Sequence, residues 1–133
     1  MRILIDTDVL LDVALARHSF VVESEAVLVW AEANPGQAAV AWHTLSNVAY
    51  LAPVGAGGFL RALLSFVEVA SVGTAEASRA LKFPMADLED ALQASAAMAF
   101  GASWIVTRNA LHYRKSPVPA ISPRAFAAKV AGT

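Results

Sequence analysis

Short runs of aliphatic and β-branched residues alternate along this chain with longer, alanine-rich stretches whose apolar positions recur at helical spacing. Residues 2–6 (Arg-Ile-Leu-Ile-Asp) predict a buried strand ending in an acid. Over 8–17, Val9, Leu10, Val13 and Ala14 share a helical face, and Asp12 reads as solvated helix surface. Ser19 predicts the cap of a second helix reaching about Ala33, with Val22, Ala26, Val27 and Trp30 inward and Asn34-Pro35-Gly36 as its stop. A second strand follows over Ala39–Trp42, then a helix opened by Thr44 that ends near Pro53. Gly55-Ala56-Gly57-Gly58 leads into a helix over 59–66; with no preceding strand and no following Lys-Ser/Thr, this is a plain loop and not a phosphate cradle. A third strand is predicted over Val67–Ser71, a helix from Thr74 to about Leu81, and another from about Met85 to Phe100. Trp104–Thr107 reads as a fourth strand, Ala120-Ile121 as a short fifth, and Ser122-Pro123 as the start of a last helix with proline in its first turn. Strands alternating with helices predict an α/β fold on a mainly parallel sheet.

Composition narrows this further. The 133 residues suit one domain spanning 1–133, and 57% hydrophobic against 16% charged residues excludes intrinsic disorder. Alanine, about a fifth of the chain, favours closely packed helices. A net charge of −1 leaves no general basic field, so contact with nucleic acid needs a local patch. With no cysteine there are no disulfides or thiolate metal sites; an acid at residue 6 breaks any signal-peptide run, and a cytoplasmic protein is expected. The longest uncharged run, Ala33–Leu60, is broken by Asn34, Pro35, Gly36 and Pro53, so no membrane span is expected.

Three clusters carry candidate chemistry. Asp6-Thr7-Asp8 lies at the carboxyl end of the first predicted strand, the edge where open α/β sheets bind ligands. A carboxylate at that rim needs a partner or a cation; Asp8 has the competing role of capping the first helix. Asp87 and Asp90 are three apart and share a helix face, with helix capping as the plain alternative and Glu89 pointing elsewhere into solvent. Thr107-Arg108-Asn109 ends a strand at the same edge as Asp6, and Arg108, Arg114 and Lys115 enclose His112 and Tyr113, a mix of cations and aromatics suited to single-stranded RNA. Oxygen ligands from separate elements suit Mg²⁺ or Mn²⁺. His18, His43 and His112 have no zinc spacing.

With Ile-Asp-Thr-Asp-Val-Leu-Leu-Asp (5–12), Thr44-Leu45-Ser46-Asn47, Asp87-Leu88-Glu89-Asp90-Ala91-Leu92-Gln93 and Val106-Thr107-Arg108-Asn109 with His112-Tyr113, the chain resembles the PIN domain, the ribonuclease fold of VapC-type toxins. The resemblance implies a three-layer α/β/α sandwich with a central, mainly parallel sheet of four to five strands. It also implies a Mg²⁺- or Mn²⁺-dependent endoribonuclease, the toxin of a toxin–antitoxin pair, cutting single-stranded or structured RNA as a homodimer with an antitoxin partner. Asp6, Asp90, Asp87 and Asp8 would hold the metal, with Asn47 joining Asp6, Asp87 and Asp90 in catalysis. Thr107, Arg108, Asn109, His112 and Arg114 would serve RNA binding, Thr107 and Asn109 by ordering the site. The pattern departs at Asn47 and His112, which stand where the family usually has acids. That leaves a second reading, a PIN-like domain that binds RNA or a protein without cleavage. A third, a haloacid-dehalogenase-like phosphatase suggested by Asp6-Thr7-Asp8, lacks the later acidic motif after Gly101.

Overall fold

The computed structural model, which describes residues 1–132, turns the short apolar runs into strands β1 (Ile3–Ile5), β2 (Ala38–Val40), β3 (Glu68–Val69), β4 (Trp104–Val106) and β5 (Ala120–Ile121). All pair in parallel in the order β3-β2-β1-β4-β5. Helices α1 (Thr7–Ala14), α2 (Val21–Ala33), α3 (Trp42–Leu51), α4 (Ala56–Leu63), α5 (Thr74–Ala80), α6 (Leu88–Phe100) and α7 (Pro123–Ala131) cover the sheet, and a 3₁₀ turn spans Ala110–Tyr113.

Because strand side chains alternate, the sheet feeds two cores. Ile3, Ile5, Val40 and Val106 pack with Val9, Leu10, Val27, Val48, Leu63 and Phe126 from α1, α2, α3, α4 and α7. On the other face Leu4, Ala39 and Ile105 meet Ala94, Ala97 and Phe100 of α6, with Tyr113 among them. The small residues of α6 let it lie close on the strands, and α5 packs behind it. This is the expected three-layer sandwich, with every strand pair parallel.

Several boundaries differ from the sequence expectation. β1 stops at Ile5, and Asp6 is the cap of α1, accepting from Thr7 N at 2.7 Å; Asp8 lies within the helix. α2 begins after Phe20 without a side-chain cap, and its buried residues are Ser24, Val27 and Ala31, while Val22 and Ala26 are exposed. The inward stripe is therefore rotated to admit Ser24, which bonds Asp12 (below). α3 starts at Trp42, so Thr44 is its third residue and not its cap. α4 runs over Ala56–Leu63, earlier than 59–66, and Gly73 caps α5. Phe59, Leu60 and Leu63 belong to the core, whereas Trp42, Tyr50 and Val54 are 70%, 82% and 97% exposed. No helix among the described residues is long and apolar enough to cross a membrane.

The strand order sets the site. From β1 the chain moves out to β2 and β3, then returns across the sheet to β4 and β5. The order reverses between β1 and β4, where the diverging connections leave a crevice at the carboxyl ends of the strands. Asp6 follows β1 and Thr107 follows β4.

Candidate active site

Asp6 is 6% exposed, with each carboxylate oxygen held. Oδ1 accepts from Thr7 N; Oδ2 accepts from Thr107 Oγ1 at 2.8 Å and from the Tyr113 hydroxyl at 3.0 Å. Burial pushes its pKa up against the lowering effect of the Thr107 bond. The Tyr113 hydroxyl also stands 3.2 Å from Asp90 Oδ1, so it bridges the end of β1 and the first turn of α6. Tyr113 is 2% exposed, so it does not offer the stacking surface for RNA that the basic cluster suggested.

Asp87 caps α6, accepting from Asp90 N at 3.0 Å. This is the capping role weighed above, and it leaves Asp87 in the acidic group: ligand atoms of Asp87, Glu89 and Asp90 lie within 4.8 Å of one another. Glu89, expected to be solvated and apart, is half-buried there, and His43 Nε2 stands 3.5 Å from Glu89 Oε1. The imidazole beside it holds Glu89 below the usual carboxylate range. Asp90 Oδ2 is buried without a hydrogen-bond partner, with His112 Nδ1 at 3.5 Å. Behind these acids, Gln93 Nε2 donates to Thr44 Oγ1 at 2.8 Å and to Thr7 Oγ1 at 3.3 Å, tying α6 to α3 and α1.

Asp8 faces the turn after β4. Its Oδ2 accepts from Arg108 N at 3.0 Å and Asn109 Nδ2 at 3.1 Å, and Oδ1 is buried without a partner. Thr107 is fully buried and Asn109 N donates to its Oγ1, so both residues order the carboxylates. Arg108 does not extend freely toward RNA. Its Nε donates to Asp12 Oδ2 at 2.8 Å, and its guanidinium lies 4.0 Å over the Phe20 ring. Asp12, read above as solvated, is completely buried and also accepts from Ser24 Oγ at 2.7 Å. Arg114 and Lys115 are exposed and, with His112, line a groove of about 480 Å³ shared with Asp87 and Asp90. Asn47 is half-buried on α3, one turn beyond Thr44 and on the same side of the helix.

Asp8 and Asp90 are both pushed up to about 6, each by burial first, then by the charge of Asp6 and of Asp87 respectively. Unfolded, both return to 3.8, so at intermediate pH the folded protein holds protons that the unfolded chain has released. Their contribution to stability therefore grows as pH falls from about 7 toward 4. In chelator, the melting temperature is expected to rise by roughly 2–8 °C between about pH 7.5 and about pH 5. Asp8→Asn and Asp90→Asn should each flatten that slope; a melting temperature that falls over this range in wild type would contradict it.

A family model described as PIN domain matches residues 2–111. The fold is similar to a toxin–antitoxin complex from Klebsiella pneumoniae, at 24% identity and a TM-score of 0.68, covering 90% of this chain and 96% of that one. It is also similar to VapBC2 from Rickettsia felis bound to a DNA fragment from its promoter, at 17% identity and a TM-score of 0.66, covering 92% of this chain and 98% of that one. No curated protein matches the sequence.

Proposed function

This chain belongs to the PIN domain family, and from that premise we propose that it is a Mg²⁺- or Mn²⁺-dependent endoribonuclease acting as the toxin of a toxin–antitoxin pair. One observation carries the reading. Asp6 and Asp90 converge on one hydroxyl at the crevice between β1 and β4, and Asp90 Oδ2 is buried in the cluster with Asp87 and Glu89 without a hydrogen-bond partner. A buried oxygen lacking a donor, among other carboxylates, fits a hard divalent cation.

Asp90 and Asp87, clustered with Glu89, and Asp6 across the Tyr113 bridge would hold the ion, with Asp8, whose Oδ1 is buried without a partner, as a further ligand and Asn47 adding a neutral carbonyl oxygen. When bound, the ion supplies positive charge to phosphoryl oxygens and acidifies a water. The chain's own groups do the rest. Thr7, Thr107 and Tyr113 fix the Asp6 carboxylate, and Thr107 and Asn109 fix the turn. Arg114, Lys115 and His112 place a phosphodiester backbone along the groove shared with the acids. Arg108 acts through Asp8 and Asp12 and not by direct contact with RNA. The antitoxin partner is supported by the two similar complexes, and the exposed Trp42, Tyr50 and Val54 support a protein surface for it or for a homodimer. A protein of residues 1–133 acting as one domain in the cytoplasm completes this reading.

Purified protein is expected to cut RNA in Mn²⁺ or Mg²⁺ and to lose that activity fully in chelator, read by gel analysis of labelled RNA. The second reading, RNA or partner binding without cleavage, rests on Asn47 and His112 standing where the family usually has acids. RNA retention with no cutting in either metal would favour it.

A further inference from the structure

Tyr113 holds a position that a cation would contest. Its hydroxyl lies between Asp6 Oδ2 and Asp90 Oδ1, at 3.0 and 3.2 Å. The ring is packed in the core beside Leu4, Ile105 and Val118, so the hydroxyl has little room to swing away. A phenol has one proton to donate and serves one ionised carboxylate at a time. That single proton keeps two mutually repelling groups close.

The two ends of the bridge are not equivalent. Both Asp6 oxygens have resident donors, Thr7 N on Oδ1 and Thr107 with Tyr113 on Oδ2. Asp90 has Tyr113 on Oδ1, while Oδ2 has no hydrogen-bond donor and only the His112 imidazole at 3.5 Å. A cation therefore meets an open oxygen at Asp90 but competes with hydrogen-bond donors at Asp6. We propose that the Tyr113 hydroxyl is a metal-competing bridge: it holds Asp6 and Asp90 together in the ion-free protein and must yield its bond to Asp6 before one ion engages both carboxylates. Tyr113 is thus a positioning residue, and the inference rests on the cation reading of the same site.

Calorimetric titration of the full chain with Mn²⁺ tests it, using wild type, Tyr113→Phe and Asp6→Asn, with melting in chelator as a second readout. Phenylalanine keeps the ring and removes only the hydroxyl. Removing a hydrogen bond to a charged group that competes with the ion is expected to tighten Mn²⁺ binding by about tenfold. The ion-free variant should melt below wild type and gain more from Mn²⁺. Equal or weaker binding by folded Tyr113→Phe, alongside loss of binding in Asp6→Asn, overturns the inference and leaves the cation reading intact. No saturable binding by wild type or Tyr113→Phe overturns both.

Discussion

Asp6→Asn is expected to lower metal-dependent RNA cleavage by about 10³-fold while leaving the melting temperature unchanged or higher, because roughly 4 kcal/mol of charge stabilisation is removed from the reaction and not from the fold. The separation follows from what the carboxylate does in each setting. Asparagine caps helices as well as aspartate does, so the bond from Thr7 N to Oδ1 survives, and the amide Nδ2 in place of Oδ2 donates to the Thr107 or Tyr113 hydroxyl, either of which can turn to accept. What disappears is a buried negative charge whose pKa is already raised by burial, a charge that opposes folding near neutral pH. Single-turnover cleavage at saturating Mn²⁺, paired with thermal unfolding, checks both halves. An asparagine variant that cuts at the wild-type rate would remove Asp6 from the ion's ligands and the proposed chemistry with it.

Asp12→Ala should have the opposite profile, a large loss of stability from a residue with no place in the chemistry. Asp12 is completely buried and accepts from Arg108 Nε and Ser24 Oγ. Its 3.5 Å pair with the more exposed Arg17 adds little. Removing the carboxylate leaves the Arg108 guanidinium, 24% exposed, without its counter-ion, at a cost of about 3–5 kcal/mol, which is a large part of a small domain's stability. Urea unfolding gives the number directly. Replacing both partners, as in Asp12→Leu with Arg108→Met, should recover much of the loss, since no charge is then stranded. A loss below about 1 kcal/mol in Asp12→Ala would mean that solvent screens the pair.

The contrast between Asp6 and Asp12 shows which parts of the site can be read from a sequence. An acid directly after a run such as Ile3-Leu4-Ile5 is placed at a sheet edge by its neighbours alone, and the alternation of strands and alanine-rich helices is equally local. Asp12 sits in an amphipathic helix where acids are normally solvated, and its partner Arg108 is 96 residues away. Glu89 is similar: nothing nearby signals that His43 of another helix stands beside it. Tyr113 looked like a stacking aromatic because its neighbours are basic, yet the 3₁₀ turn from Ala110 points its ring into the core below α6. For α2 the structure supplies what the sequence lacked: Ser24 is buried with Val27 and Ala31, and its hydroxyl finds an acceptor in Asp12. α1 and α6 start at Thr7 and Leu88 because Asp6 and Asp87, both extended, accept from the backbone N–H groups of their first turns.

The groups that steady Asp6 come from the far end of the chain: Thr107 and Tyr113 lie 101 and 107 residues beyond it. A ribosome releases the amino-terminal end first. Asp6 is therefore made 101 and 107 residues before the two hydroxyls that hold it, and β1 waits for β4 as its neighbour in the sheet. The half-made polypeptide then has its acids but no assembled centre. If the proposed chemistry holds, this order of assembly would keep the acids from forming a working centre until Thr107 and Tyr113 have been added.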